Sequence, residues 1–190
     1  MVSRCADETL SPESVIATLE RDAALVREVT PSDGTSIAEA IAAAIASLPR
    51  EGVSAAAPDS LDTSLARHVE VMTTVPDEWR PTPDEHELVE VFERDVRPHW
   101  SQWQAPSKRY LAAKAFASWT AYQGHGLMTI VRGLDAALAL VRVEAARQCR
   151  DAKRPLDEAL MREAFRYADY SLNHLASGDE LAEMWSKAED

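Results

Sequence analysis

The run His86-Glu87-Leu88-Val89-Glu90 opens like the HExxH signature, in which two histidines one helical turn apart hold zinc. Position 90 is glutamate. A metal-dependent enzyme built on His86 and Glu90 therefore needs further ligands from elsewhere in the chain. An exposed, acidic first turn of a helix accounts for the same residues and is the preferred reading. Di-iron bundles use Glu-x-x-His on two helices. The residues three before the five histidines are Leu65, Pro83, Val96, Tyr122 and Ser171, which argues against that chemistry.

Gly124-His125-Gly126 lacks the third glycine of a dinucleotide loop, and no strand pattern precedes it. His125 sits on permissive backbone and is a candidate binding residue, with a helix-end imidazole facing solvent as the simpler alternative. Cys149 falls near the C-terminal end of a long helical pattern, where the helix dipole disfavours a thiolate. Cys5 precedes the first strong helical pattern and needs an outside group to activate it. Arg132 and Asp135 stand three apart and can pair along a helix, with Arg142 further on. Facing inward, they would form a polar pocket or fix helix register; facing outward, a solvated pair. Trp79, Trp100, Trp103 and Trp119 bunch mid-chain, as groove lining or, more simply, as core and rim.

The element that must position these groups is Leu127–Arg150. Leu127, Ile130, Val131, Leu134, Leu138, Val141 and Ala145 recur at steps of three and four, so they share one side of a helix. Ala137, Leu140 and Val143 add apolar surface on another side. A helix this apolar must be covered by several others. Arg132, Asp135, Arg142 and Glu144 interrupt it too often for a membrane span.

The neighbours read as follows. Ser11-Pro12-Glu13 starts a helix with Val15, Ile16, Leu19, Ala23 and Val26 on one face. Pro31-Ser32-Asp33-Gly34 breaks the chain. A second helix holds Ile37, Ile41, Ala44, Ile45 and Leu48. Pro49 to Asp59 is the best linker, so residues 1–55 form a helical pair, a candidate appendage, and 56–190 the main bundle. A third helix carries Leu61, Leu65, His68, Val69 and Met72 inward. Leu88, Val89, Val91, Phe92 and Val96 mark a fourth, kinked or ended at Pro98. Tyr110 to Tyr122 forms a fifth, after a start at Pro106. Gly124 and Gly126 predict a corner before the long helix. Asp157 is the expected N-cap of the next helix, with Leu156 and Met161 as its hydrophobic staple. Gly178 is expected to stop that helix. Leu181, Met184 and Trp185 mark a last short helix that packs as a lid on one end.

The 190 residues carry a net charge of −12, which repels phosphate backbones and anionic membranes. Nucleic acid and membrane are thus poor partners. Two distant cysteines give no disulfide framework, and MVSRCADETLSPES has no apolar signal segment, so a cytoplasmic location is expected.

RYLAAKAFASW, LALVRVEAARQ and PLDEALMREAFRYADYSLNHL, within Arg109–Leu175, resemble the C-terminal helical region of cysteine-cluster proteins related to the flagellin lysine-N-methylases. Those relatives carry a cysteine cluster, thought to hold iron and sulfur, ahead of that region. Cys5 and Cys149 cannot supply four thiolates. The resemblance therefore implies a domain or truncated relative without the metal centre, and it transfers no catalytic residue.

The sequence thus predicts an all-α, mainly antiparallel bundle of about seven helices around a long central one. Its expected role is a non-catalytic domain binding a protein partner or substrate protein, with no cofactor and with homo-oligomerisation left open. The alternatives are a small-molecule bundle, with Tyr110, Trp119, Arg132, Asp135 and Tyr167 around an interior pocket, and the His86/Glu90 metal enzyme.

Overall fold

The computed structural model describes residues 1–28, 36, 39–40, 43, 60–80, 85–121 and 126–187. Among these, every regular element is helical. Seven α-helices of seven residues or more are preceded by a single turn, α1 (Val2–Cys5). They are α2 (Pro12–Glu28), α3 (Asp62–Met72), α4 (Glu85–Val91), α5 (Gln104–Ala121), α6 (Leu127–Ala152), α7 (Glu158–Tyr170) and α8 (Gly178–Lys187).

α6 is the axis. Leu134, Ala136, Ala137, Leu140, Val141, Val143, Ala145, Ala146 and Cys149 have no exposed surface and point in all directions around it. The helices α2, α3, α4, α5, α7 and α8 all pack against it. Its many alanines let these neighbours approach closely, and its leucines and valines fill the gaps between them. The helix ends where Lys153 adopts a left-handed conformation at φ 51°. The Arg154 N–H then reaches back to the Cys149 carbonyl at 3.3 Å, closing the last turn. At the other end Gly126, at φ 88°, which glycine adopts freely, leads into the first turn of α6.

The local signals explain the flanking helices. The Ser11 hydroxyl accepts from the Ser14 N–H at 3.1 Å, capping α2 ahead of Pro12. Asp157 accepts from the Leu160 N–H at 3.0 Å and caps α7. Leu156 and Met161, on either side of that cap, are both buried, as a hydrophobic staple requires. The Leu156 N–H also donates to the Asp95 carbonyl at 2.9 Å, which pins the short α6–α7 connection to the end of the α4 region. Tyr110 meets Phe165, and Lys114 pairs with Asp169, so α5 and α7 run in the same direction. α6 lies antiparallel between them.

Five expectations need amendment or fall elsewhere. Gly178 opens α8 rather than stopping α7: the Ser177 hydroxyl accepts from the Glu180 N–H and supplies an N-cap. The preceding helix ends in a widened turn, Ser171–Leu175. Val69 is 46% exposed while Val71 is fully buried, because the inner side of α3 is centred on Ser64, Leu65, His68, Val71 and Met72 and Val69 falls beyond its edge. Cys5 is not on an open segment; it closes α1 and is buried in the core. Pro98 neither cleanly kinks nor ends its helix. Lacking an N–H, it follows a widened turn at Phe92–Val96 and sits in a tight one at Arg97–Trp103. The boundary at residue 55, the linker and most of the second helix lie outside the described residues. α2, expected in the appendage, shares the main core through Val15, Ile16, Leu19 and Ala23.

Candidate functional site

Among the described residues, three polar groupings surround α6, and clefts open on the surface.

The first grouping lies towards the N-terminal end of α6 and contains Arg132 and Asp135. Asp135 accepts from Arg67 Nε of α3 at 2.9 Å. Arg67 also pairs with Glu70, one turn along α3. Glu70 Oε1 in turn accepts from the Trp185 indole N–H of α8 at 2.9 Å, while Arg132 donates to the Trp185 carbonyl at 2.6 Å. Trp185 itself is completely buried. α3, α6 and α8 are thus laced together through one tryptophan, whose buried ring nitrogen takes Glu70 as its acceptor. Glu20 of α2 stands nearby. Loss of water on its protein-facing side and then the Asp135 charge lift its carboxyl above the usual range. The Arg67 and Asp135 side chains are each more than a quarter exposed, so the pair is screened. Asp135→Asn should therefore lower stability by only about 0.5–1 kcal/mol in urea denaturation, with a smaller effect in high salt.

The second grouping is deep. Arg142 of α6 donates to Glu13 Oε1 of α2 at 2.6 Å, and both side chains are nearly buried. The Trp100 indole N–H shares the same oxygen at 3.3 Å, and the guanidinium lies 5.2 Å from the Trp100 ring centroid. Burial lowers the Arg142 pKa, and the Glu13 charge opposes the shift.

The third is His68 of α3, buried, with Nε2 lacking a hydrogen-bond partner. Burial first, and the Arg147 charge second, push its pKa down to about 3. Arg147 is itself paired with the buried Glu144 at 2.5 Å. Burial raises the Glu144 pKa.

One cleft, of about 490 Å³, lies between α3 and α4 and is lined by Asp62, Leu65, Ala66, Val69, His86 and Val89. The other, of about 400 Å³, gathers Arg94, Arg150, Lys153 and Arg154 beside Glu87 and Asp95 at the C-terminal end of α6. Arg94, Arg150 and Arg154 pair with Asp95, Asp151 and Asp157.

The sequence-predicted site residues do not converge on one cavity. Arg132 and Asp135 meet around Trp185. Tyr110 stacks against Phe165 at 5.1 Å, with Lys114 over its ring, and burial raises its hydroxyl pKa. Tyr167 is 43% exposed on α7, with the Arg166 guanidinium over its ring. Neither cleft is lined by Tyr110, Arg132, Asp135 or Tyr167. His125 and the Trp119 side chain lie outside the described residues. His86 and Glu90 are exposed on α4, and no group of three His, Cys, Asp or Glu side chains is placed to hold a metal among the described residues. Burial raises the Cys149 pKa to about 11 and that of Cys5 above its usual value, so both thiols stay protonated at neutral pH.

Sequence reasoning gave Glu13 only a part in starting α2 and missed Arg67 and Glu70. Their i, i+3 opposite charges on α3 were the one available signal.

Comparison with protein-family models, with curated proteins and with solved structures finds no match to this chain. No helix among the described residues is long and apolar enough to cross a membrane.

Proposed function

We propose that this chain is a non-catalytic helical domain that binds a protein partner or substrate protein. The reading is carried by one observation: large apolar side chains are held in solvent while the polar groups around the core serve the fold. Phe116 is 77% exposed on α5 and Trp79 60% exposed beyond α3, with Val69, Tyr167 and Tyr170 also outside. Exposed aromatics are the residues that anchor protein interfaces. Arg132, Asp135, Arg142 and Glu144 are meanwhile engaged with Trp185, Arg67, Glu13 and Arg147. The resemblance of Arg109–Leu175 to proteins related to the flagellin lysine-N-methylases adds a candidate context, a substrate protein of a methylating system.

The test is in-cell crosslinking of the full chain with mass spectrometry. The expected result is one protein crosslinked in near-stoichiometric amount, with the yield cut at least fivefold by Phe116→Ser or Trp79→Ser. A chain recovered alone would contradict partner binding. A charge-transfer spectrum with stoichiometric iron after anaerobic iron–sulfur reconstitution would contradict the non-catalytic half.

A further inference from the structure

We infer that the cleft at the C-terminal end of α6 binds the phosphate group of a small phosphate ester. This site is separate from the exposed aromatics and does not depend on a protein partner.

Four cations from two elements line this cleft of about 400 Å³: Arg94 from the widened turn after α4, and Arg150, Lys153 and Arg154 from the end of α6. Glu87 and Asp95 are the acids of the lining, so four cations stand against two carboxylates there. The chain as a whole has the reverse balance, 20 basic residues against 32 acidic. The walls are preorganised. Lys153 takes a left-handed conformation, and its N–H and that of Arg154 return to the Arg150 and Cys149 carbonyls at 3.2 and 3.3 Å. That turn sets the points from which Lys153 and Arg154 leave the chain, and it occupies two of the last carbonyls of α6. The Leu156 N–H, donating to the Asp95 carbonyl at 2.9 Å, ties the two walls together. On the far wall the buried Asp95 carboxylate accepts from Arg94 Nε and Nη2 at 3.0 and 2.7 Å. One edge of that guanidinium is thereby anchored, while the side chain stays 66% exposed.

Charge and size select the ligand. Asp151 and Asp157, the partners of Arg150 and Arg154, are not part of the lining and are 63% and 44% exposed. Such exposed pairs are weak, and a guanidinium with five N–H donors keeps one partner and still reaches a ligand. A helix C-terminus opposes an anion with roughly half a charge. Four whole cations outweigh it. A phosphate ester is close to doubly charged at neutral pH, and its oxygens match the arginine fork. A monocarboxylate brings one charge and gains less against the same Glu87 and Asp95. The cleft lies at the small end of the roughly 300–1,000 Å³ typical of ligand pockets, and Val91 and Pro155 give it an apolar wall for a compact organic body. Nucleic acid is a poorer fit, because the −12 of the chain repels a long polyanion.

The probe is phenyl phosphate, titrated at constant ionic strength into the isotope-labelled full chain, with backbone amide shifts read by NMR. Its Kd should be about 1 mM or tighter, with saturating shifts centred on Arg94, Asp95 and Arg150 to Arg154. Arg150→Gln/Lys153→Gly removes two cations, and the glycine keeps the left-handed turn. Lys153→Gly alone is the milder substitute if the double variant fails to fold by circular dichroism. Arg109→Gln/Lys187→Gln makes the same net change at exposed sites outside the cleft. The cleft predicts at least tenfold weaker binding to the double variant, at least threefold weaker to the single one, and less than twofold change for the distant pair. It also predicts at least tenfold weaker binding of benzoate, the matched monoanion, to the native chain. Equal losses in the cleft and distant pairs, or equal binding of benzoate, would overturn the assignment. So would shifts still unsaturated at about 20 mM, the mark of unspecific screening. Phosphatidylcholine vesicles bearing phosphatidic acid separate a lipid headgroup from a soluble ester. The chain should stay in the supernatant, and cosedimentation would overturn the small-ester assignment.

Discussion

Arg142→Ala will destabilise the fold by about 3–5 kcal/mol, the cost of stranding a buried carboxylate. Glu13 Oε1 holds two donors, Arg142 and the Trp100 indole, and only the arginine carries charge. Removing it leaves Glu13 facing a tryptophan edge in a region with little water. It also opens a cavity beneath the Trp100 ring, over which the guanidinium lies. With a urea slope of about 2 kcal/mol/M, the unfolding midpoint should fall by roughly 2 M. The pair itself is not a large net stabiliser, because both charges lost their hydration on folding and Arg142 Nε has no partner. The double variant Glu13→Leu/Arg142→Met should therefore recover most of the loss. Measuring all three proteins in one denaturation series checks both halves. An Arg142→Ala loss below about 1 kcal/mol would mean that water reaches the pair.

Acid will unfold this protein through His68, with a sign set by its depressed pKa. The unfolded imidazole titrates near about 6.5, whereas in the fold the value is about 3. Below pH 6.5 the unfolded chain therefore binds a proton that the folded chain refuses. Stability is fully present above that pH and drains away as the pH falls towards 3. At pH 4.5 the loss is two pH units, on the order of 2–3 kcal/mol. Arg147 reinforces this by opposing a second positive charge. Glu144 acts in the opposite sense: its raised pKa means the folded state gains a proton first as the pH drops. Comparing the native chain with His68→Leu cancels that contribution. The variant should match or exceed native stability at pH 7, since it removes an unpartnered buried nitrogen. Its stability should then fall less between pH 7 and 4.5, by a difference on the order of 2–3 kcal/mol. Parallel pH profiles would show His68 to be hydrated.

The contrast between what could and could not be read from the chain is physical. Local signals read well. Asp157, Leu156 and Met161 act within one turn of each other, and Ser11 acts on Ser14, so composition over a few residues sufficed. The central helix was legible because apolar residues occupy nearly its whole circumference. The polar groupings were not, because their partners lie far apart in the chain: Arg67 and Asp135 by 68 residues, Trp185 and Glu70 by 115, Arg142 and Glu13 by 129. The sequence marked Arg132, Asp135 and Arg142 as a set, and the fold divides it. Arg132 and Asp135 serve a half-exposed seam, and Arg142 a buried pair. Val69 misled because a helix with apolar residues on two faces has no single inner side.

The central claim is that α6 is a sheathed axis whose interior serves the fold and leaves recognition to the surface. Native-state hydrogen exchange of the full chain tests it most directly. The amides of Ala136 to Ala146 should exchange only through global unfolding, with an opening free energy equal to that from urea denaturation. Amides of that stretch opening several kcal/mol below the global value would show α6 to be loosely covered, and would contradict the account.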